Sequence, residues 1–426
     1  MREAFRVTGF RRLFTGLSTS MLGDSLMLLV LSMWVKTLTD SNGMAGLTFL
    51  WMCVPALFAP LIGMYVDRFR RKPLLVWGNI ASAVCVLPLV LVRDASDVWI
   101  IWAVTFGYGL SFIVLPAALN GLLKELMPDR MLVDANSSLQ TVKEGYRLVG
   151  PLVGAGLFGW LGGGVVAVLD ALSFLVAAAF VAWIPLREKL PEHAPQRWWT
   201  EMTGGLGHLV RDRLLRHTLV AFGVMLLVIG FSESSIYAIL DFFDKPATFA
   251  GVVVTVQGVG AVLGGASASW LVRRIAETGT VALGLVLMAA SLAAIALTST
   301  LWVMMLSTVP LGYSLPLLFV AFTTLMQRRT PHHLMGRVSA AVEVVMGVPQ
   351  AVSLAVGALL VTLISYHLIF AIMGAATAAA AGYLVLALRG RLFRAVPEVV
   401  DGAVAVAEEL PLGSVVTESP VAGMTE

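Results

Sequence analysis

The sequence predicts an all-α membrane protein with twelve transmembrane helices in two pseudo-symmetric six-helix bundles. Hydrophobic residues make up 58% of its 426 residues and charged residues only 13%. A soluble domain of this size could not bury that much apolar surface away from water. Apolar runs of about twenty residues recur along the chain. A spacing also repeats: Gly63 precedes Arg71 and Lys72 as Gly265 precedes Arg273 and Arg274.

The apolar runs are long enough for a helix to cross ~30 Å of hydrocarbon. Because every backbone amide in lipid needs a partner within its segment, helices are favoured over open strands. Arg11 and Arg12 stand at the beginning of the first run, which lacks a small-residue cleavage site, so we interpret it as a retained helix. The predicted spans cover about residues 13–35, 44–66, 74–92, 98–122, 138–160, 165–186, 217–240, 249–271, 280–298, 301–326, 338–363 and 367–388.

Basic residues predict the orientation of these spans. Lys and Arg concentrate at the N-terminus and in alternate connections, whereas the opposite connections contain only Lys36, Arg93 and Lys245. The positive-inside rule then places both termini in the cytoplasm of a multi-pass cell-membrane protein. The formal net charge of +3 reflects this topology, and no nucleic-acid partner is expected.

A long polar segment, 187–216, divides six spans from six. We predict an N-terminal bundle over 1–190, a cytoplasmic linker over 191–214, a C-terminal bundle over 215–390 and a disordered cytoplasmic tail over 391–426. A second repeat supports the duplication, since Pro128-Asp129-Arg130 and Pro331-His332-His333 follow corresponding spans. Parallel six-helix repeats are typical of secondary transporters.

Two sequence blocks carry a resemblance to a known family. The loop with Gly63, Asp67, Arg68, Arg71 and Lys72 resembles the signature of the major facilitator superfamily between helices two and three, although Arg70 stands where a second glycine is commonest. A further block is similar to the drug:proton antiporter branch that contains macrolide exporters and the enterobactin exporter. It comprises Met127-Pro128, Asp134-Ala135-Asn136-Ser137, residues 147–154 and Asp170-Ala171-Leu172-Ser173-Phe174.

The resemblance covers about residues 10–390 and implies roles for both blocks. In the family, the loop aspartate and arginines form a cytoplasmic latch between bundles, which would involve Gly63, Asp67, Arg68, Arg71 and Lys72. The alternative is that these basic residues only enforce topology and contact anionic headgroups.

Arg147, Gly150, Pro151 and Gly154 resemble the antiporter signature of helix five, where small residues allow close helix approach and proline bends the helix. Ala155 departs from the paired-glycine pattern of that signature. The alternative reading is ordinary small-residue packing.

Two acidic residues in apolar runs are candidate proton carriers. Asp24 lies within the first span, where an ionised carboxylate costs about 3 kcal/mol, and Glu233 lies at a corresponding depth in the seventh. Alternatively, Asp24 is capped by neighbouring hydroxyls or paired with a basic residue such as Arg147, and Glu233 is solvated near the outer boundary. Asp170 is interpreted as a cap or anchor at the start of the sixth span.

Apolar side chains near these acids are candidates for contact with a substrate, or equally with lipid: Met21, Phe112, Phe231 and Tyr237. The sequence contains no phosphate-binding loop ending in Lys-Ser or Lys-Thr and no nucleophile, base and oxyanion constellation. We therefore expect no enzyme activity, cofactor or metal, and we interpret His332 and His333 as solvated.

These observations predict a monomeric, proton-coupled exporter of amphipathic small molecules such as macrolide-type or other antibiotics. Other functions stay open. The chain could export siderophores or other metabolites, flip lysophospholipids with the same fold, or act as a membrane sensor or scaffold that moves nothing.

Overall fold

A computed structural model describes residues 4–66, 68–186, 188, 198–331, 334–390, 392–393, 399–400 and 403–404. Within these ranges the protein is built from α-helices, with short 3-10 segments and one antiparallel pair of two-residue strands, β1 (Val399–Val400) and β2 (Ala403–Val404). Apart from these strands, Leu392 and Phe393, the predicted tail lies outside the described residues, as do His332 and His333.

The first half comprises seven α-helices: α1 (Thr8–Thr39), α2 (Asn42–Cys53), α3 (Ala59–Val66), α4 (Arg71–Val86), α5 (Val98–Leu126), α6 (Asp129–Leu161) and α7 (Gly163–Ala182). Ser41 caps α2 by accepting a hydrogen bond from the Met44 N–H at 3.3 Å. A 3-10 segment, Val54–Phe58, separates α2 from α3 and has Pro55 as its second residue. Proline supplies no backbone donor, so it interrupts the α-helical hydrogen bonds.

The second half follows an additional helix, α8 (Trp198–Arg211). It comprises α9 (Arg213–Phe242), α10 (Ala250–Leu297), α11 (Leu301–Arg329), α12 (Met335–Leu360) and α13 (Tyr366–Ala387). Asp212 caps α9 by accepting from the backbone N–H groups of Leu214 and Leu215. Within α10, Ala276 adopts a positive φ of 61°, so this long element consists of two helical segments.

The all-α membrane fold is confirmed, whereas the number twelve stays a prediction. Eight of the described helical segments are long and apolar enough to cross a membrane. The predicted spans 249–271 and 280–298 both fall within α10, and the predicted span 44–66 is divided at Pro55. Part of the predicted polar linker, residues 198–211, is the helix α8, which packs against α9 and α12 of the second half.

Helix packing brings the two halves together. In the first half, α1 packs against α6 and α7, and in the second half α9 packs against α12 and α13. Between the halves, α2 contacts α9 and α12, while α6 contacts α10. Helices α1, α6 and α9 therefore hold the candidate residues at or beside the boundary between the halves.

Candidate functional site

Asp24 interacts with a buried carboxylate of a neighbouring helix. Gly23, its neighbour on α1, packs so closely against α7 that a Cβ atom there would overlap Ser173 Oγ and Asp170 Oδ1. Asp24 is half-buried, Asp170 is 1% exposed, and their charges interact. The close approach of α1 to α7 thus creates a site with two carboxylates from different helices.

Asp170 is held by hydrogen bonds within the first half. The Tyr108 hydroxyl of α5 donates to Asp170 Oδ2, and Ser173 Oγ donates to the Asp170 backbone oxygen at 2.7 Å. Tyr108 is 2% exposed. Asp170 lies in the second turn of α7, so its side chain joins the Asp24 site in addition to lying near the start of that helix.

Glu233 lies in a different environment. It is half-buried on α9 of the second half, and its charge interacts with Arg147 on α6 of the first half. The Cys53 thiol of α2, also in the first half, is a further electrostatic neighbour. The electrostatic interactions of Glu233 therefore extend across the boundary between the halves.

Helix α6 presents a basic residue to each acidic site. Lys143 and Arg147 are one turn apart and exposed, and the charge of Lys143 interacts with Asp24. The sequence suggested Arg147 as a basic partner of Asp24. The charge of Arg147 interacts instead with Glu233. Glu144, also exposed on α6, accepts a hydrogen bond from Gln140 at 2.8 Å.

The glycines of the helix-five antiporter motif belong to the fifth predicted span, which is part of α6. They lie where α6 crosses α1. A Cβ atom at Gly150 would overlap Ser25, and one at Gly154 would overlap the Leu26 carbonyl. Ser25 Oγ also donates to the Tyr146 backbone oxygen at 2.5 Å. On another side of α6, the Pro151 carbonyl lies against Gly251 of α10. The small residues of the motif therefore let α6 pack closely between two helices.

The loop between α3 and α4 is anchored to the end of α7. Lys72 Nζ donates to the Ile184 backbone oxygen at 2.7 Å, and the Lys72 N–H donates to Glu188 Oε1 at 2.5 Å. Arg71 Nη1 donates to the Val66 backbone oxygen at 2.8 Å. Exposed Arg68 lies over the Tyr65 ring at 5.3 Å. Gly63 has open space around its Cα, and Asp67 lies outside the described residues.

Glu188, beyond the last predicted span of the first half, is partly buried in this loop contact. Burial raises the pKa of its carboxyl, although the hydrogen bond from the Lys72 backbone acts in the opposite direction. Within the described part of the chain, Glu188 Oε2 has no hydrogen-bond partner. The carboxyl therefore favours its neutral form more than an exposed glutamate does.

The four predicted substrate-contact residues are dispersed. Met21 is half-buried against apolar side chains of the first half, and the exposed ring of Phe112 lies 5.7 Å from that of Tyr108. Phe231 is half-buried beside Gly357, whereas Tyr237 is completely buried. A separate cavity of about 350 Å³ lies between α1 and α6 and is lined mainly by Leu22, Leu26, Val142, Tyr146, Val149 and Val153.

The long apolar helices and the polar residues within them define the class of the protein, a multi-pass membrane protein. Residues 13–244 and 226–418 match the family model of the Major Facilitator Superfamily, so the chain belongs to this family. It is a transporter and not an enzyme.

Known proteins resemble the chain over most of its length. An uncharacterized MFS-type transporter, YfiS, of Bacillus subtilis is 27% identical over 379 residues, which cover 86% of this chain and 90% of that protein. Macrolide efflux protein A of Streptococcus pyogenes is 23% identical over 264 residues, which cover 60% of this chain and 65% of that protein.

A solved structure has the same fold. The nucleoside transporter NupG superposes with a TM-score of 0.70 at 13% identity, covering 89% of this chain and 99% of NupG. The sequence-based assignment to the major facilitator superfamily, with resemblance to macrolide exporters, is thus confirmed.

Proposed function

We propose that the protein is a monomeric, proton-coupled exporter of amphipathic small molecules that works by alternating access. The observation that carries the proposal is the close packing of Gly23 on α1 against Asp170 on α7, which brings the charge of Asp24 under the influence of Asp170. Tyr108 holds Asp170 by a hydrogen bond. The similarity to macrolide efflux protein A supports export and suggests macrolide-like substrates. Protons are the proposed co-transported ion, because carboxyl groups within apolar helices are typical of proton pathways.

Repulsion between neighbouring carboxylates is the source of the proposed proton binding. Two negative charges at short range in a poorly hydrated site repel each other strongly, and one bound proton removes that repulsion. The positive charge of Lys143 interacts with Asp24 and would stabilise a remaining negative charge. Binding and release of a proton at this site would therefore change the charge of the first half without requiring its helices to separate.

We propose that Glu233 couples proton binding to a change in how the two halves pack against each other. Its attraction to Arg147 acts between α9 and α6 and therefore favours the packing in which these helices lie together. A proton on Glu233 would cancel this attraction and shift the equilibrium between two packings. The proposed moving bodies are the predicted bundles, 1–190 and 215–390.

The proposed orientation places both termini in the cytoplasm, as the basic loops predict. The C-terminal ends of α1 and α9 then face the outside. The substrate is proposed to contact Met21, Phe112, Phe231 and, in another packing, Tyr237. An apolar molecule with a cationic or polar group would suit the combination of these side chains with Asp24 and Glu233.

Transport by purified protein in liposomes tests the proposal. An imposed pH gradient should drive accumulation of erythromycin, and Asp24→Asn should abolish it. Glu144→Gln, which removes an exposed carboxylate of α6 outside both acidic sites, should leave accumulation intact.

The same assay with enterobactin and lysophosphatidylcholine separates the alternatives. Movement of lysophosphatidylcholine alone, with no dependence on the gradient, would contradict the proposal. Movement of none of the three compounds, under conditions where the protein is folded, would favour a sensor or scaffold.

A further inference from the structure

The ends of α1 and α9 carry a polar contact between the halves that the acidic sites do not use. We propose that Ser32 and Lys36 of α1 form a two-rung latch with Tyr237 and Asp241 of α9, which closes one face of the transporter. We call these four residues the α1–α9 latch. The inference rests on the proposed alternating access, and it identifies which residues hold that face shut.

The first rung is completely buried. Ser32 Oγ and Tyr237 OH lie 2.6 Å apart, and both side chains are 0% exposed. A buried hydroxyl without a partner costs about 1–3 kcal/mol. Ser32 Oγ also donates to the Leu29 backbone oxygen at 3.1 Å, within α1. Tyr237 is therefore the hydroxyl that loses its partner when α1 and α9 separate, and water must then reach it.

The second rung is an ion pair at the rim. Lys36 Nζ lies 2.8 Å from Asp241 Oδ2, and Lys36 is 7% exposed. Asn42, at the start of α2, donates to the same oxygen at 2.9 Å. Asp241 therefore receives two hydrogen bonds from the first half.

The two rungs follow the internal duplication of the chain. In each rung the partners are 205 residues apart, close to the spacing between the repeated glycine and proline motifs. Each helix contributes residues four apart, which lie on one face of a helix. The latch therefore pairs corresponding faces of corresponding helices, as expected near a pseudo-two-fold axis.

Close backbone packing surrounds the latch. Gly43 of α2 lies against the Ala358 carbonyl of α12, and Gly46 lies against Ala358 and Ser234. A side chain at Gly43 would collide with the backbone of the second half. These contacts bring α2 directly against α9 and α12 and limit the access of water to the region below Lys36.

Asp40 can serve as an alternative partner for Lys36 when the α1–α9 latch opens. Lys36 Nζ also lies 3.0 Å from Asp40 Oδ1, on its own side of the boundary. Asp40 is 97% exposed, so it can keep Lys36 paired in water after Asp241 has moved away. The ammonium group then avoids the cost of a buried, unpaired charge.

Distance measurements between spin labels test the latch without substrate or a proton gradient. Exposed Ala95 and Ser299 lie at this face in the first and second halves, and Ala95→Cys with Ser299→Cys would carry the labels after replacement of Cys53 and Cys85 by alanine. Asp241→Asn should increase the population of long distances about three- to tenfold. Tyr237→Phe, which keeps the ring but loses the hydroxyl, should act in the same direction.

Matched variants distinguish a latch from general stabilisation. Asp244→Asn removes an exposed negative charge from the same end of the second half and should leave the distances unchanged. Asp40→Asn should reduce the long-distance population, because Lys36 loses its partner in the open state.

Equal distance distributions for Asp241→Asn and Asp244→Asn would overturn the proposal. So would a lower melting temperature for Asp241→Asn and Tyr237→Phe with no change in distances. Because the measurement needs no proton coupling, its failure is distinguishable from failure of gradient-driven transport.

Discussion

The two acidic sites differ in where their partners come from. Asp24 interacts with Asp170 and Lys143, which belong to its own half, whereas Glu233 interacts with Arg147 across the boundary between the halves. A site contained in one half can gain or lose a proton while both halves stay in place. A site that spans the boundary loses its partner when they separate. The first arrangement suits proton binding, and the second suits the conversion of charge into movement.

Among the tests of this comparison, neutralising one member of the pair Glu233 and Arg147 has the largest expected effect. Glu233→Gln or Arg147→Gln should lower gradient-driven erythromycin accumulation about tenfold, the size of a typical coupling energy between two sites. The double variant Glu233→Arg with Arg147→Glu should recover part of the activity, because the attraction is restored with opposite polarity. Accumulation is measured in liposomes.

The corresponding control exchanges Lys143 and Asp24, which lie in one half. We expect no recovery for Lys143→Asp with Asp24→Lys, because this exchange removes the carboxyl beside Asp170. If the exchange of Lys143 and Asp24 recovered activity and the exchange of Glu233 and Arg147 did not, the roles assigned to the two sites would be reversed.

Removal of Asp170 should have a smaller effect on the transport rate and a specific effect on its pH dependence. Asp170→Asn leaves one titratable carboxyl where the native site has two, so the pH profile of accumulation should become less steep. Tyr108→Phe removes the hydrogen bond but keeps both carboxyls and should retain the native steepness. Identical steepness in Asp170→Asn and the native protein would show that Asp24 titrates without Asp170.

The close crossing of α1 and α6 places the helix with Lys143 against the helix with Asp24. A substitution at this crossing tests how tightly the two helices pack. Gly154→Ala would press a methyl group against the Leu26 carbonyl and should destabilise the protein by about 1–3 kcal/mol. Gly156→Ala, on the same helix but with open space around it, is the control. Thermal unfolding in detergent measures both, and equal melting temperatures would contradict the packing described here.

Glu188 offers a titrating carboxyl outside the spans, with the smallest expected effect. Because burial raises its pKa in the folded protein, the native protein should lose a little stability as the pH rises from the ordinary pKa to that raised value. Glu188→Gln stays neutral, so its melting temperature should exceed the native one at neutral pH, and the difference should vanish below the ordinary pKa of 4.5. If the melting temperature of Glu188→Gln exceeded the native one by more at low pH than at neutral pH, a raised pKa of Glu188 would be contradicted.

Much of the fold could be predicted from the sequence because its signals are local. Composition and the length of apolar runs define a membrane helix without knowledge of its neighbours. The break between the predicted spans 249–271 and 280–298 agrees with the non-helical backbone of Ala276 inside α10. The helix α8 was harder to predict, because it forms in a segment that reads as a polar linker.

The sequence was enough to identify the acidic residues of the two sites but not their partners. Isolated carboxylates such as Asp24 and Glu233 stand out in apolar runs, so they could be singled out. Their partners could not, because Tyr108 and Asp170 are 62 residues apart and no periodicity joins them to Asp24. The choice between Lys143 and Arg147 depends on how α6 is rotated, which is set by contacts of Gly150 and Gly154 with α1.

Proton movement caused by substrate is the most direct test of the central claim, that Asp24 exchanges protons as the transporter works. Liposomes containing the protein and the pH dye pyranine would receive an outward erythromycin gradient with no initial pH difference. The account predicts a substrate-dependent pH change with the native protein and none with Asp24→Asn, even where Asp24→Asn still binds erythromycin. An equal pH change in both would contradict the account.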